Sequence, residues 1–366
     1  MNRLYIAYHI RLLFIFSLLL SCSHVSAQKT ETDSELQDLD FAIQEVETNY
    51  AGFSYKTRTE EKRNAYEVFK KKLRAQVLQK EKEELDAIGE YFGWFGDFHL
   101  RTGLNEHAKY QRKSFDYSTE MTYSPMPIAC KVDEETFLIR FPSCDGNPNL
   151  EWSEKAINNY LSSECKHLII DIRGNSGGRD TYYAPYVKQL YDTSAVMDGV
   201  DIRNTPEHQA YIKDAAKELP WLQETLKKMK SSSEEFIPLI ESTTIHYDTI
   251  SPLPIKAALI IDGRVASSGE QMVLDIHSCS LRTTTYGRDN TLGCLDLSNI
   301  RRVDLPVSGI STWIPMTRSQ RLPDRGIDDT GISPDIHIPL PLPGQLTDNV
   351  DEWVLWVAKD MKEKTK

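Results

Sequence analysis

Two apolar runs of strand length, His167 to Ile172 (H-L-I-I-D-I) and Ala257 to Ile261 (A-A-L-I-I), each pass through a turn into a segment of helical period. This pairing restricts the possible folds more than any other feature of the chain. Strands that are apolar without alternation are buried on both faces, as in parallel sheets covered by helices. Upstream, Glu135 to Phe141 reads as a third strand. Glu151 to Leu161 reads as a helix with Trp152, Ala156, Ile157, Tyr160 and Leu161 as its apolar positions. Strand, helix, strand predicts a crossover within an α/β layer.

The turns after the two runs differ in chemistry. Ile172 leads into Arg173-Gly174-Asn175-Ser176-Gly177-Gly178, a glycine-rich corner before a helix carrying Tyr183, Val187 and Leu190. Such a corner offers bare backbone N–H groups to an anion or an oxyanion. Its spacing matches neither G-x-x-x-x-G-K-[ST] nor G-x-G-x-x-G, which argues against a nucleotide. After Ile261, Asp262-Gly263 turns the chain, and Ser267-Ser268-Gly269-Glu270 stands at the start of a helix with Met272, Val273 and Ile276 on one face. A hydroxyl there lies among free N–H groups at the positive end of the helix dipole, a nucleophile's position. The same residues spell a capping box, with Ser267 accepting from the Glu270 N–H and Glu270 reaching back. This stretch alone leaves both readings open.

A net charge of −11 without a basic block gives no electrostatic support for nucleic-acid binding. At 366 residues and 40% hydrophobic, the chain can bury a full core in two or three domains. Residues 1–27 read as an export signal: Arg3 and Arg11 flank the apolar run Leu12 to Leu20, too short to span a bilayer. Two cleavage chemistries compete. Leu19-Leu20-Ser21-Cys22 resembles a bacterial lipobox that would acylate Cys22, and Val25-Ser26-Ala27 suits an ordinary signal peptidase. The six cysteines are widely spaced without C-x-x-C pairs, so neither a zinc site nor a disulfide framework is expected.

From Ser34, helical spacing of Leu36, Leu39, Ile43, Val46 and Tyr50, then of Tyr66, Phe69, Leu73 and Val77, then of Leu85, Ile88 and Phe92, predicts a small N-terminal helical domain over 28–115. Gly93 to Leu100 (G-W-F-G-D-F-H-L) breaks that pattern and delivers His99, a side chain suited to take a proton near neutrality. A core over 116–345 follows. Its segment 193–254, with helices near Tyr211 to Lys217 and Trp221 to Lys230, is an insertion that is either a lid or a peripheral subdomain. Strands are expected at Leu281 to Tyr286, Val303 to Leu305 and Ser311 to Thr317, and a last helix at Val350 to Met361, within 346–366.

Together, D-I-R-G-N-S-G-G at Asp171 to Gly178, S-S-G-E at Ser267 to Glu270, T-L-G at Thr291 to Gly293 and G-I-S-P-D at Gly331 to Asp335 resemble the tail-specific, or C-terminal processing, serine peptidase family in order and spacing. The resemblance runs from about Phe92 to Leu340. It implies a crotonase-like α/β core of repeated ββα units and a polypeptide substrate, with no metal and no cofactor. Many relatives insert a PDZ domain, but His99 and the Glu135 strand are too close in sequence to hold one. The family's T-x-G-K lysine is replaced by Cys294, which excludes a Ser/Lys dyad there. The chain is therefore more similar to the PDZ-less branch with the tricorn protease core, which implies a Ser/His pair oriented by an acid. The carry-over gives Ser267 as nucleophile, His99 as base and Asp328 as orienting acid with Asp329 as its rival. The oxyanion donors would be the N–H groups of Ser268 and of Gly177 or Gly178, Gly177 being preferred. Phe98 stands where that branch has a serine, and an aspartate where it has a glutamate. The implied protein is an exported serine endopeptidase of the periplasm or outer surface, held to a membrane only through an acylated Cys22. The alternative is an inactive relative that holds a peptide or hydrophobic ligand in the same cleft.

Overall fold

The structure, a computed structural model, describes residues 36–103, 124–343 and 349–363. The expected export signal, Cys22 and the Ser34 cap lie outside the described residues. Helices α1 (Gln37–Asn49), α2 (Phe53–Lys56), α3 (Glu60–Leu78) and α4 (Glu84–Gly93) come first. Thr59 caps α3 by accepting the Lys62 N–H. Leu39, Ile43, Val46, Tyr66, Leu73, Val77, Ile88 and Phe92 are buried, as their spacing requires. Their cluster does not close on itself, because Leu297, Leu305 and Ile314 complete it.

β1 (Arg101–Thr102) leaves the helices. β2 (Ile128–Lys131) and β3 (Thr136–Arg140) pair antiparallel, α5 (Leu150–Ser162) crosses over, and β4 (His167–Asp171) returns parallel to β3. The Asn149 side chain starts α5 by accepting the Trp152 N–H at 2.9 Å. Beyond the glycine corner, a 3₁₀ turn (Asp180–Tyr182) precedes α6 (Ala184–Leu190). Then come β5 (Ala195–Met197), β6 (Val200–Arg203), α7 (Pro206–Ala215), α8 (Leu222–Ser231), β7 (Phe236–Ile240) and β8 (Thr243–Ile245). The last stretch holds β9 (Lys256–Ile260), α9 (Ser268–Cys279), β10 (Thr283–Gly287), β11 (Leu297–Asp304), β12 (Ser311–Ser319), β13 (Ile336–His337) and α10 (Glu352–Glu363).

Two sheets organise these elements into a mixed α/β fold. The first runs β13-β10-β9-β4-β3-β2, parallel except for the outer β2/β3 pair. Its strands are buried on both faces, which explains their unbroken apolar runs. Leu168, Ile170, Ala257 and Leu259 face α5, α6 and α9, while Ile169, Ala258 and Ile260 face Trp353, Val354 and Val357 of α10. Each Leu or Ile buried this way contributes about 1.5–3 kcal/mol. α10 is also pinned by charge: Asp351 accepts from Arg140 and Arg173 at 2.8 Å each, and both arginines bind Asp171 at 2.7 Å. Burial alone would raise the Asp171 pKa, but Arg173 and Arg140 override it and hold the carboxyl well below its usual range.

The second sheet is antiparallel in the order β1-β12-β6-β7, with β11 on the other edge of β12. The segment 193–254 contributes to it. β6 and β7 are strands of this sheet, and β6 pairs with β12 across Thr317↔Ile202. They escaped the sequence reading because each is only four or five residues long and partly exposed, and β6 reaches its partner β12 across more than a hundred residues. β11 likewise begins at Leu297, six residues before the predicted strand.

Candidate active site

The two turns singled out in the sequence meet above the carboxyl ends of β4 and β9. Asp262 braces them, its carboxylate accepting from the Gly174 N–H at 3.1 Å and the Arg264 N–H at 3.0 Å. Asn175 braces them again. Its carbonyl accepts the Ala266 N–H at 3.0 Å, its Nδ2 donates to the Phe141 carbonyl at 3.0 Å, and its Oδ1 accepts the Gly177 N–H at 3.0 Å. A Cβ on Gly269 would lie 2.6 Å from the Asn175 carbonyl oxygen, so the S-S-G-E helix can sit this close only with glycine there.

Ser267 does not form the capping box. It sits at φ 53°, ψ −123°, a sparsely populated backbone region for a side-chain-bearing residue, and its hydroxyl makes no cap bond. Glu270, fully buried, instead binds Thr291 Oγ1 and the Gly293 N–H, each at 2.6 Å, and the Cys294 N–H at 2.8 Å. Burial pushes its pKa up against the lowering effect of these bonds. The clamp fixes the T-L-G segment, and the Cys294 carbonyl in turn accepts the Ser267 N–H at 2.9 Å. Strain at residue 267 is thus held in place by neighbours that determine it from both sides.

Ser267, Ser268, Gly178 and His99 all line one cleft that opens to solvent, together with Arg179, Asp198, Val200 and Arg321. Asp198 and Val200 come from 193–254, so that segment forms a wall of the cleft. The Ser268 hydroxyl donates to the Gly178 carbonyl at 2.7 Å, tying the helix start to the glycine corner. The expected Gly177 donor is corrected here. Its N–H is turned inward onto Asn175, whereas the N–H groups of Gly178 and Ser268 have no acceptor among the described residues and belong to residues that line the cleft. At φ 135° Gly178 holds a conformation that side chains rarely adopt.

His99 is half-buried, and its Nδ1 donates to the Leu297 carbonyl at 2.6 Å, with Cys294 Sγ 3.3 Å away. Burial lowers the imidazole pKa, with Asp97 opposing, which keeps the ring neutral and able to accept a proton. Asp328 does not contact it. Its Oδ1 accepts the N–H groups of Leu295 and Asp296 at 2.7 and 2.8 Å, and burial followed by repulsion from Asp296 and Asp97 raises its pKa well above the usual range. Asp329 turns outward to Lys56 at 3.6 Å. The structure therefore puts a backbone carbonyl at Nδ1 where an acid was expected, and the acid nearest the ring is Asp97. Sequence reading missed Asn175 and Asp262 as braces. Their only signal was a polar residue within each turn.

A hydroxyl on a strained strand-to-helix turn, an imidazole on the same cleft and two amides beside them, the hydroxyl and amides without a partner among the described residues, are the equipment of an acyl-transfer hydrolase. That is the class which this fold and site define. The model of peptidase family S41 matches residues 136–338, more than half of the chain, and the protein belongs to that family as a serine peptidase. Among solved structures it is similar to a candidate peptidase from Parabacteroides merdae, 14% identical, with a TM-score of 0.54 over 84% of this chain and 90% of that one. It is also similar to a lipoprotein from Streptococcus agalactiae (15% identical, 93% and 100% covered, TM-score 0.48) and to the photosystem II D1 C-terminal processing protease (15%, 86% and 96%, 0.47). At such identities the likeness concerns the fold alone. No curated protein matches the chain significantly. Membership and the cleft-lining Ser267 hydroxyl favour the hydrolase over the binding module.

Proposed function

We propose that this chain is an exported serine endopeptidase that cleaves polypeptides through an acyl-enzyme, with Ser267 as nucleophile and His99 as general base. The observation that carries the reading is the Ser267 hydroxyl, uncapped at φ 53° and lining the same cleft as His99, Gly178 and Ser268. In this reading Nε2 of His99 takes the Ser267 proton as Oγ attacks the scissile carbonyl, and returns it to the leaving amine. The Leu297 carbonyl keeps the Nδ1–H tautomer that makes Nε2 the acceptor. Asp328 acts through the backbone, positioning the 295–297 segment rather than touching the ring. The N–H groups of Gly178 and Ser268 receive the oxyanion, and each is worth about 10²–10³ in rate.

The finer assignments belong to the same proposal. The core is a crotonase-like set of ββα units behind a helical N-terminal domain, of the PDZ-less branch similar to the tricorn core. Residues 1–27 direct export to the periplasm or outer surface, with either an acylated Cys22 or a new N-terminus at Gln28. Mass spectrometry of the mature N-terminus separates those two, and a chain still starting at Met1 refutes export. A fluorophosphonate probe tests the chemistry. The wild type takes one label, and Ser267→Ala takes none. A folded wild type that stays unlabelled, or a label that survives the substitution, overturns the assignment.

A further inference from the structure

Asp97, His99 and Cys294 offer three ligand atoms of different chemistry, a carboxylate oxygen, Nδ1 and Sγ, all within 4.8 Å of one another. Two of these residues are 195 apart in sequence, which is why cysteine spacing gave no hint of them. The thiol occupies the position after Thr291-Leu292-Gly293, held there by the Glu270 carboxylate through the Cys294 N–H. The carboxylate is oriented in turn, with Oδ2 accepting from Tyr50 at 2.8 Å and Oδ1 accepting the His99 N–H at 2.8 Å. Asp97 and Cys294 are buried, while His99 opens onto the cleft, so an ion can arrive from that side.

From this geometry we infer that Asp97, His99 Nδ1 and Cys294 Sγ form an inhibitory site for Zn²⁺. Zinc takes sulfur at about 2.3 Å and nitrogen or oxygen at about 2.0–2.2 Å, so a tetrahedral shell needs ligand atoms roughly 3.3–3.6 Å apart. Sγ and Nδ1 already stand 3.3 Å apart, and the carboxylate needs a shift of about 1.5 Å at most to close the set. Carboxylate, thiolate and Zn²⁺ sum to zero charge, which suits a buried place. Soft sulfur with imidazole selects Zn²⁺ over Mg²⁺ or Ca²⁺. The hydrogen bond from Tyr50 is the kind of outer support that metal-bound carboxylates use.

Binding releases the Cys294 thiol proton to solvent and moves the imidazole proton from Nδ1 to Nε2, breaking the bond to the Leu297 carbonyl. An imidazole metallated at Nδ1 presents N–H at Nε2, and so it cannot accept the Ser267 proton. The site stands on geometry alone, whereas its inhibitory effect rests on the role proposed for His99.

Co²⁺ is the optical probe, added to the full metal-free chain, because thiolate coordination gives a charge-transfer band that Zn²⁺ bleaches on displacing it. One equivalent is expected in the wild type and in Cys130→Ser. The band should be absent in Cys294→Ser, and binding at least about tenfold weaker in Asp97→Asn, with circular dichroism confirming that each variant is folded. Zn²⁺ at saturating occupancy should stop fluorophosphonate labelling of the wild type, and a chelator should restore it. No band, or a band that survives Cys294→Ser, overturns the site. Labelling that proceeds at full zinc occupancy overturns the inhibitory role. A chain that shows the Cys294-dependent band yet never takes the fluorophosphonate supports the metal site while sinking the peptidase assignment, so the two failures are distinguishable.

Discussion

Replacing Asn175 with alanine tests how the glycine corner is held. The side chain is fully buried, and besides a bond from Nδ2 to Cys144 Sγ at 3.4 Å it makes two bonds of 3.0 Å to backbone groups, one to the Phe141 carbonyl and one from the Gly177 N–H. Alanine leaves both backbone groups without a partner, at about 1–3 kcal/mol each, or roughly 2–6 kcal/mol for the pair. A turn so released no longer points the Gly178 N–H into the cleft, and loss of one such donor costs about 10²–10³ in rate. The assay is the second-order rate constant for fluorophosphonate labelling of Ser267, measured beside urea unfolding. Labelling should fall by about 10²-fold, and the unfolding free energy by the amount above. Asn175→Asp keeps the acceptor for Gly177 but turns the Phe141-facing donor into an acceptor. It should therefore lose stability and yet label faster than the alanine variant. If Asn175→Ala is destabilised but labels at the wild-type rate, the corner does not need this brace; if its stability is unchanged, the two bonds contribute nothing.

Three further outcomes follow from described contacts. Gly178→Ala would bring a Cβ to 2.1 Å from the Cys144 carbonyl oxygen in a left-handed conformation, so labelling should vanish, and a variant that labels normally would refute the donor role. Asp351→Ala leaves the buried guanidiniums of Arg140 and Arg173 sharing the one carboxylate of Asp171, and should lower the unfolding free energy by about 3–5 kcal/mol, against no change if α10 is held by packing alone. His208 on α7 is fully buried, and desolvation brings its pKa down to about 3, against about 6.5 when unfolded. Because the unfolded chain binds the proton more readily, this contribution is complete above about pH 6.5 and lost as pH falls toward 3. Between pH 7 and pH 5 it should cost about 2 kcal/mol, and His208→Gln should flatten that part of the stability curve. Equal slopes in the two proteins would show that His208 is not the titrating group.

The parallel sheet was legible because burial on both faces writes itself into sequence. His167 to Asp171 and Lys256 to Ile260 were predicted to within a residue at each end, and α5 and α9 follow from where their apolar residues recur. β6, β7 and the first half of β11 were not legible, since short or half-exposed strands lack the run buried on both faces that marks β4 and β9. Ser267 and His99 were found through motifs rather than periodicity. The acid and the glycine donor depended on finer geometry. Which of two adjacent amides faces the cleft is decided by the reach of the Asn175 side chain, and Asp328 is drawn to the amides of residues 295 and 296, which no spacing rule specifies.

The helices α1 to α4 share one apolar interior with Leu297, Leu305 and Ile314, and His99 leaves that interior bonded to the carbonyl of Leu297. His99 and Ser267, the proposed base and nucleophile, therefore sit on opposite sides of a seam, one anchored in the helical layer and the other in the parallel sheet. Warming that loosens the seam would disable the molecule while its strands remain folded, so inactivation should run ahead of the loss of sheet signal. In the proposed mechanism, a chain whose helical layer has come away has nothing left to deprotonate Ser267.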